Sequence, residues 1–169
     1  MATDVKQAHI NTSGFLVLGR NRVKALSFVG TATAGTVVIF DTATAPVTSG
    51  VTYGRTGTTV TVSKTAHGLS TGDVVGIHFE AFPSATDGNY TITVTGANTF
   101  TLTDINTGSI SGSPAAIYVS GGSSWLLTYE SAATDIFNNS PEIPDQGVLA
   151  IEGVYAYLDN ISVVNIFYG

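Results

Sequence analysis

Tyr90, Ile92 and Val94 alternate with Thr91, Thr93 and Thr95, Gly96-Ala97-Asn98 interrupts, and Phe100 and Leu102 then alternate with Thr101 and Thr103. A period of two with a turn signal at its centre predicts a β-hairpin with one apolar face and one threonine face. The flanks read differently. Phe15 to Leu18, Val23 to Val29 and Thr36 to Phe40 are more continuously apolar, and Gly19-Arg20-Asn21 and Gly30 to Gly35 separate them. They predict short strands joined by turns. Trp125 to Tyr129, Val148 to Leu158 and Ile161 to Tyr168 extend the pattern, around a polar loop from Ser131 to Gln146 that holds Pro141 and Pro144. No stretch carries a helical period, so the fold class is all-β.

Softer stretches bound the threonine-rich segment. Thr42 to Gly50 leads in; Ser109 to Pro114 and then Ser120 to Ser124 lead out, with the composition of linkers. The expected organisation is a discontinuous host domain, residues 1–50 plus 121–169, carrying an inserted module at 51–120. The host is expected to be an antiparallel β-sandwich or jelly-roll-like domain, and the insert a small β-barrel-like module. Insertion at a loop between neighbouring strands is tolerated because the ends of the insert lie close together on the surface.

The last strands are apolar on both faces. Ile161, Val163 and Phe167 alternate with Val164, Ile166 and Tyr168, and Tyr155 and Tyr157 oppose Val154, Ala156 and Leu158. A second aromatic face needs cover from the protein itself or from a partner. Tyr155, Tyr157 and Tyr168 are therefore candidate partner contacts.

Composition narrows the function classes. Charged residues make up 11% of the 169 residues, against about 25% in ordinary soluble domains, and the apolar content speaks against disorder. No apolar run approaches the length of a membrane span, and the first residues lack the pattern of a signal peptide, so the expectation is a soluble protein made in the cytoplasm of its producing cell. The absence of cysteine removes disulfides, thiolate metal sites and thiol catalysis. All six basic residues precede residue 65, whereas the 105 residues from 65 to 169 carry ten acids and no Lys or Arg. Such a surface repels nucleic acid. Arg20, Arg22 and Lys24, three cations within five residues, are candidates for contact with an acidic neighbour.

Candidate chemistry is sparse. His9, His67 and His78 lack the mutual spacing of a metal site even with Asp73 or Glu80 nearby in sequence. His67 instead sits in Ala66-His67-Gly68-Leu69-Ser70-Thr71-Gly72-Asp73, a compact turn that delivers Asp73 to the next strand. Glu130, Asp135, Glu142 and Asp145 cluster around the polar loop, where solvated charge is a simpler account than a glycosidase pair. No catalytic residue, cofactor or metal is expected. Tyr53, Tyr90 and Trp125 are the aromatic faces on which a sugar would stack, if the insert bound one.

Two segments resemble known families. AHGLSTGDVVGI followed by GNYTITVTGANTFTLTD is similar to a small β-module that recurs in bacteriophage structural proteins, and in pattern to a β-domain of ubiquitin-activating enzymes. The flanks, VKALSFVGTATAGTVVIFDTATAP and GVLAIEGVYAYLDNISVVNIFYG, resemble short phage virion proteins that end in a β-strand with a terminal FYG. The resemblance implies a non-enzymatic virion component on the capsid exterior. Such a decoration or cement protein docks on the major capsid protein or another virion protein as a homo-oligomer such as a trimer, and projects the insert outward. The alternative reading is a tail- or fibre-associated module whose insert binds a cell-surface glycan through those aromatic faces.

Overall fold

The computed structural model describes residues 5–80, 84–120, 124–133, 138–141, 143 and 146–169. The described chain is all-β, with no helix. Chain order begins with β1 (Lys6–Ile10), β2 (Gly14–Leu18), β3 (Asn21–Gly30) and β4 (Gly35–Asp41). The threonine-rich part holds β5 (Val51–Thr56), β6 (Thr59–Lys64), β7 (Val74–Phe79), β8 (Gly88–Thr91), β9 (Thr93–Gly96), β10 (Thr99–Thr103) and β11 (Ala116–Ser120). The chain closes with β12 (Ser124–Ser131), β13 (Asn138–Asn139), β14 (Val148–Ala150), β15 (Gly153–Asp159) and β16 (Ile161–Tyr168). It divides into two compact units, Met1–Ala45 with Leu126–Gly169, and Pro46–Trp125.

In the first unit, one sheet runs β1-β16-β3-β13, with β14 also on β3, and the second runs β12-β4-β15-β2. Leu26, Phe28, Val164 and Ile166 of the first sheet and Val37, Ile39, Val154 and Ala156 of the second form one core. β4 lies between β12 and β15, and its residues Val37 to Phe40 are fully buried, as the unbroken apolar run requires.

Two bulges in the β3–β16 pairing decide which residues reach that core. Val23 opposes Tyr168 and Ala25 opposes Phe167, leaving Lys24 as an extra residue; Ile161 opposes Gly30 and Val163 opposes Val29, leaving Ser162 extra. Each extra residue shifts the alternation by one. Val23 therefore joins Leu26 in the core, and Ile161 joins Val164 and Ile166, although both pairs are three residues apart. This corrects the strict alternation that places Ile161 with Val163 and Phe167.

The run Val148 to Leu158, read from sequence as one strand, is two strands in different sheets. Asp41, at the end of β4 and 5% exposed, accepts the backbone N–H groups of Ile151 (2.8 Å), Glu152 (2.8 Å) and Gly153 (3.1 Å). One carboxylate thus fixes the turn that carries the chain from β14 to β15. Residues 6–10 form β1 against β16, while residues 1–4 lie outside the described residues.

The second unit has a four-stranded sheet, β5-β6-β10-β9, and a three-stranded one, β11-β7-β8. Val60, Val62, Phe100 and Leu102 from the first meet Val75, Ile77, Phe79 and Tyr118 from the second in a single core. β8 and β9 are separated only by the buried Ile92, so one bent strand serves both sheets. On the other side β5 is linked to the segment before β11 only by isolated bridges, Arg55 to Ile110 and Thr52 to Ala115. The module is two sheets over one core, with no closed barrel among the described residues.

The unit begins before β5 because Val47 pairs with Tyr118, Val47 N–H donating to Tyr118 O at 2.8 Å. At its other end the Asn89 side chain acts as a strand surrogate. Its amide donates to Trp125 O at 3.1 Å and its oxygen accepts Trp125 N–H at 2.7 Å. These contacts tie down both ends of the unit Pro46–Trp125.

Candidate functional site: a basic cleft at one end of the first sheet

Register brings four of the six cations to one end of the β1-β16-β3 sheet. Lys6 opposes Tyr168, Tyr168 opposes Val23, and Val23 is flanked by Arg22 and Lys24; Arg20 lies in the turn before β3. Arg22, Lys24, Gln146 and Gly169 line a cleft of about 500 Å³. Its walls are pinned by backbone. Gly169 N–H donates to Arg22 O at 3.2 Å, and the Arg22 guanidinium donates to Gly147 O at 3.0 Å.

Gly147 brings one wall of the cleft close to β3. Its φ is +82°, and a Cβ there would fall 2.1 Å from Val23 O, so only glycine lets the segment before β14 run this close to β3. That approach sets Gln146 beside Lys24. Sequence patterning found Arg22 and Lys24 but not Gln146 or Gly169; the one local signal for them was Gly147 immediately before the apolar Val148.

Of the candidate contacts, Tyr168 shares this end of the sheet but is half-buried against the core. Tyr155 and Tyr157 lie on the other sheet. Tyr155 is 8% exposed and meets Phe15 edge-on, with centroids 5.0 Å apart and planes at 88°. Burial raises its phenol pKa. Of the two covers the sequence leaves open, Tyr155 has the protein's own: Phe15, 37% exposed, packs over it and is itself at the surface. Tyr157 is half-buried.

The charged groups inside the second unit have structural partners. Arg55 and Asp104 form a buried ion pair through Nη1 and Oδ2, and Asp104 also accepts N–H groups from Thr86 (3.3 Å) and Asn106 (3.2 Å). Burial pushes the Asp104 carboxyl up, but the hydrogen bonds from Thr86, Asn106 and Arg55 together outweigh it and hold the group below its ordinary value. Asp87 bridges the His78 ring (2.6 Å) and Phe79 N–H (2.9 Å), tying residues 84–87 to β7. His67 uses both ring nitrogens, one accepting Leu69 N–H at 3.0 Å and the other meeting Gly96 O at 3.0 Å. That geometry requires the neutral ring with the proton on Nε2. Among the described residues no group of His, Asp or Glu is arranged to hold a metal ion.

No family model, curated protein or solved structure matches the chain.

The aromatic residues considered for sugar stacking are largely engaged. Tyr53 is 2% exposed and donates to Glu80 O at 2.7 Å, and the half-buried Tyr90 donates to Thr86 O at 2.5 Å. Trp125 is half-buried where Asn89 holds its backbone. Of the acids around the polar loop, Glu130 is exposed, and Asp135, Glu142 and Asp145 lie outside the described residues.

Proposed function

We propose that this chain is a non-enzymatic structural protein of a phage particle, a capsid decoration protein whose host unit docks on an acidic face of the lattice. The observation that carries the reading is the basic cleft. In a chain of net charge −6, four of six cations gather at one end of one sheet, and two of them line a common cavity. Complementary charge steers docking and fixes its register more than it adds raw affinity, which suits a protein used in many copies. The resemblance of the HGL-x-x-GD turn and of the terminal FYG strand to phage structural proteins supports the same role. The partner is the major capsid protein or another virion protein, and the location is the virion exterior.

The test is the absolute mass of the purified chain by light scattering, followed by sedimentation with particles. A stable multiple of the chain mass, trimeric or larger, or recovery of the chain with the particles supports the reading. A strict monomer that never sediments with particles rejects it.

A further inference from the structure

Arg22 is half-buried and anchored by a neutral carbonyl, Gly147 O, and no carboxylate pairs with it among the described residues. Lys24, also half-buried, has no hydrogen-bond or ion-pair partner among them either. A guanidinium has five donors in a fixed fork, so one carbonyl leaves an open edge shaped for a carboxylate. Partly desolvated charge is unfavourable, and an entering anion that hydrogen-bonds to both cations relieves it. Both cations lie on one strand on either side of the core-facing Val23, and the bulge at Lys24 re-aims that side chain.

We infer that the cleft is a socket for the side-chain carboxylate of an acidic peptide segment on a protein partner. The inference rests on the docking role proposed above and names the chemistry of the contact. The volume, about 500 Å³, is in the range of sites that enclose a side chain or small ligand. The exposed Gln146 supplies an amide that donates and accepts, as an extended peptide backbone needs. A polyphosphate is a poorer fit. It would bring a row of charges against an acidic chain, whereas a peptide carboxylate brings one or two to the cations that can meet them.

The experiment is an NMR titration of the ¹⁵N-labelled full chain with an acetylated Gly-Glu-Gly-Glu-Gly peptide at low salt, with inorganic phosphate and a thymidine oligonucleotide as parallel probes. The expected result is saturable shifts at Arg22, Lys24, Gln146 and Gly169, affinity that falls as salt rises, and at least a tenfold loss in Arg22→Gln with Lys24→Gln. Lys24→Gln alone, which leaves the Arg22 bond to Gly147 intact, is expected to show an intermediate loss at unchanged melting temperature. Peptide shifts that persist in the double variant overturn the socket. Phosphate binding as tightly as peptide marks a free-anion site and overturns it, and so does tighter binding of the oligonucleotide. Particle sedimentation separates the two ideas. A double variant that still sediments with particles overturns the socket and leaves the decoration role. Peptide binding by a chain that never sediments supports the socket and rejects that role.

Discussion

Gly153 donates its backbone N–H to Asp41 Oδ1 at 3.1 Å, across 112 residues of sequence, and the same carboxylate takes the two preceding N–H groups. Three successive amides converging on one buried anion make this the joint between the two sheets of the first unit. Hydrogen bonds to charged groups are worth about 1.5–3 kcal/mol each, and buried donors left unpaired cost more than the bond was worth. Asp41→Ala is expected to destabilise the protein by about 3 kcal/mol or more in chemical denaturation. Amide exchange at Ile151, Glu152 and Gly153 is expected to accelerate before that of β3. Unchanged exchange at those three amides would show that the joint is held elsewhere.

The Arg55–Asp104 pair belongs to the second unit and predicts an asymmetry. Arg55→Met leaves a buried carboxylate without its cation and is expected to cost about 3–5 kcal/mol. The double variant with Asp104→Leu is expected to recover part of that and no more, because the N–H groups of Thr86 and Asn106 then lose their acceptor. A double-mutant cycle measures the coupling, and additive losses would contradict it.

The same pair sets an acid limit. Because the Asp104 carboxyl is held below its ordinary value, its contribution is fully present above the unfolded carboxylate value of about 3.9 and is lost as pH falls through the folded one. Stability of the wild type is expected to fall below about pH 4, and Asp104→Asn, less stable at neutral pH, is expected to show a flatter acid limb. Equal acid slopes in the two proteins would remove Asp104 from the account.

Alkali acts through Tyr90. Burial, then the charges of Asp104 and Asp87, push its phenol up to about 12. A raised value means the folded state keeps a proton that the unfolded chain gives up near pH 10, so stability is lost as pH rises from about 10 through about 12. Tyr90→Phe removes this group from the slope and loses the hydrogen bond to Thr86 O. Denaturation series from pH 8 to 11.5 check both effects, and an unchanged alkaline slope in the variant would contradict the assignment.

Two glycines test whether the cleft depends on close approach. A methyl group added at Gly19 (φ +76°) would meet nothing within 4 Å, while one added at Gly147 (φ +82°) would fall 2.1 Å from Val23 O. Gly19→Ala is expected to cost about 1–2 kcal/mol from left-handed backbone strain alone. Gly147→Ala is expected to cost more and to shift the amide signals of Gln146 and Lys24. Equal costs would mean the backbone at Gly147 gives way freely.

Much of this architecture was legible in the sequence because β-strands announce themselves by alternation. The hairpin of β9 and β10 around Ala97-Asn98, and the apolar runs of β2, β3 and β4, lie where the pattern puts them. The failures came where one residue changes the pattern's phase. Lys24 and Ser162 as bulges carry Val23 and Ile161 to the core, and a period-two reading has no means of anticipating an extra residue. The break between β14 and β15 was hidden for a different reason, since its cause is Asp41, more than a hundred residues away. At the candidate site, charge density marked Arg22 and Lys24, but the cavity comes from pairing β14 onto β3, which local sequence does not encode. What covers Tyr155 was not legible because Phe15, the ring that packs on it, comes from a distant strand.

In the proposed role this chain is a component of a phage particle, held there by protein contact. The most direct measurement is quantitative mass spectrometry on nuclease-treated, density-purified particles from cells that make the protein, with antibody labelling of intact particles. Many copies per particle are expected, accessible to antibody at the capsid surface and released by high salt before the shell itself dissociates. Absence of the chain from purified particles, with all of it in the free protein fraction, would rule out the decoration role.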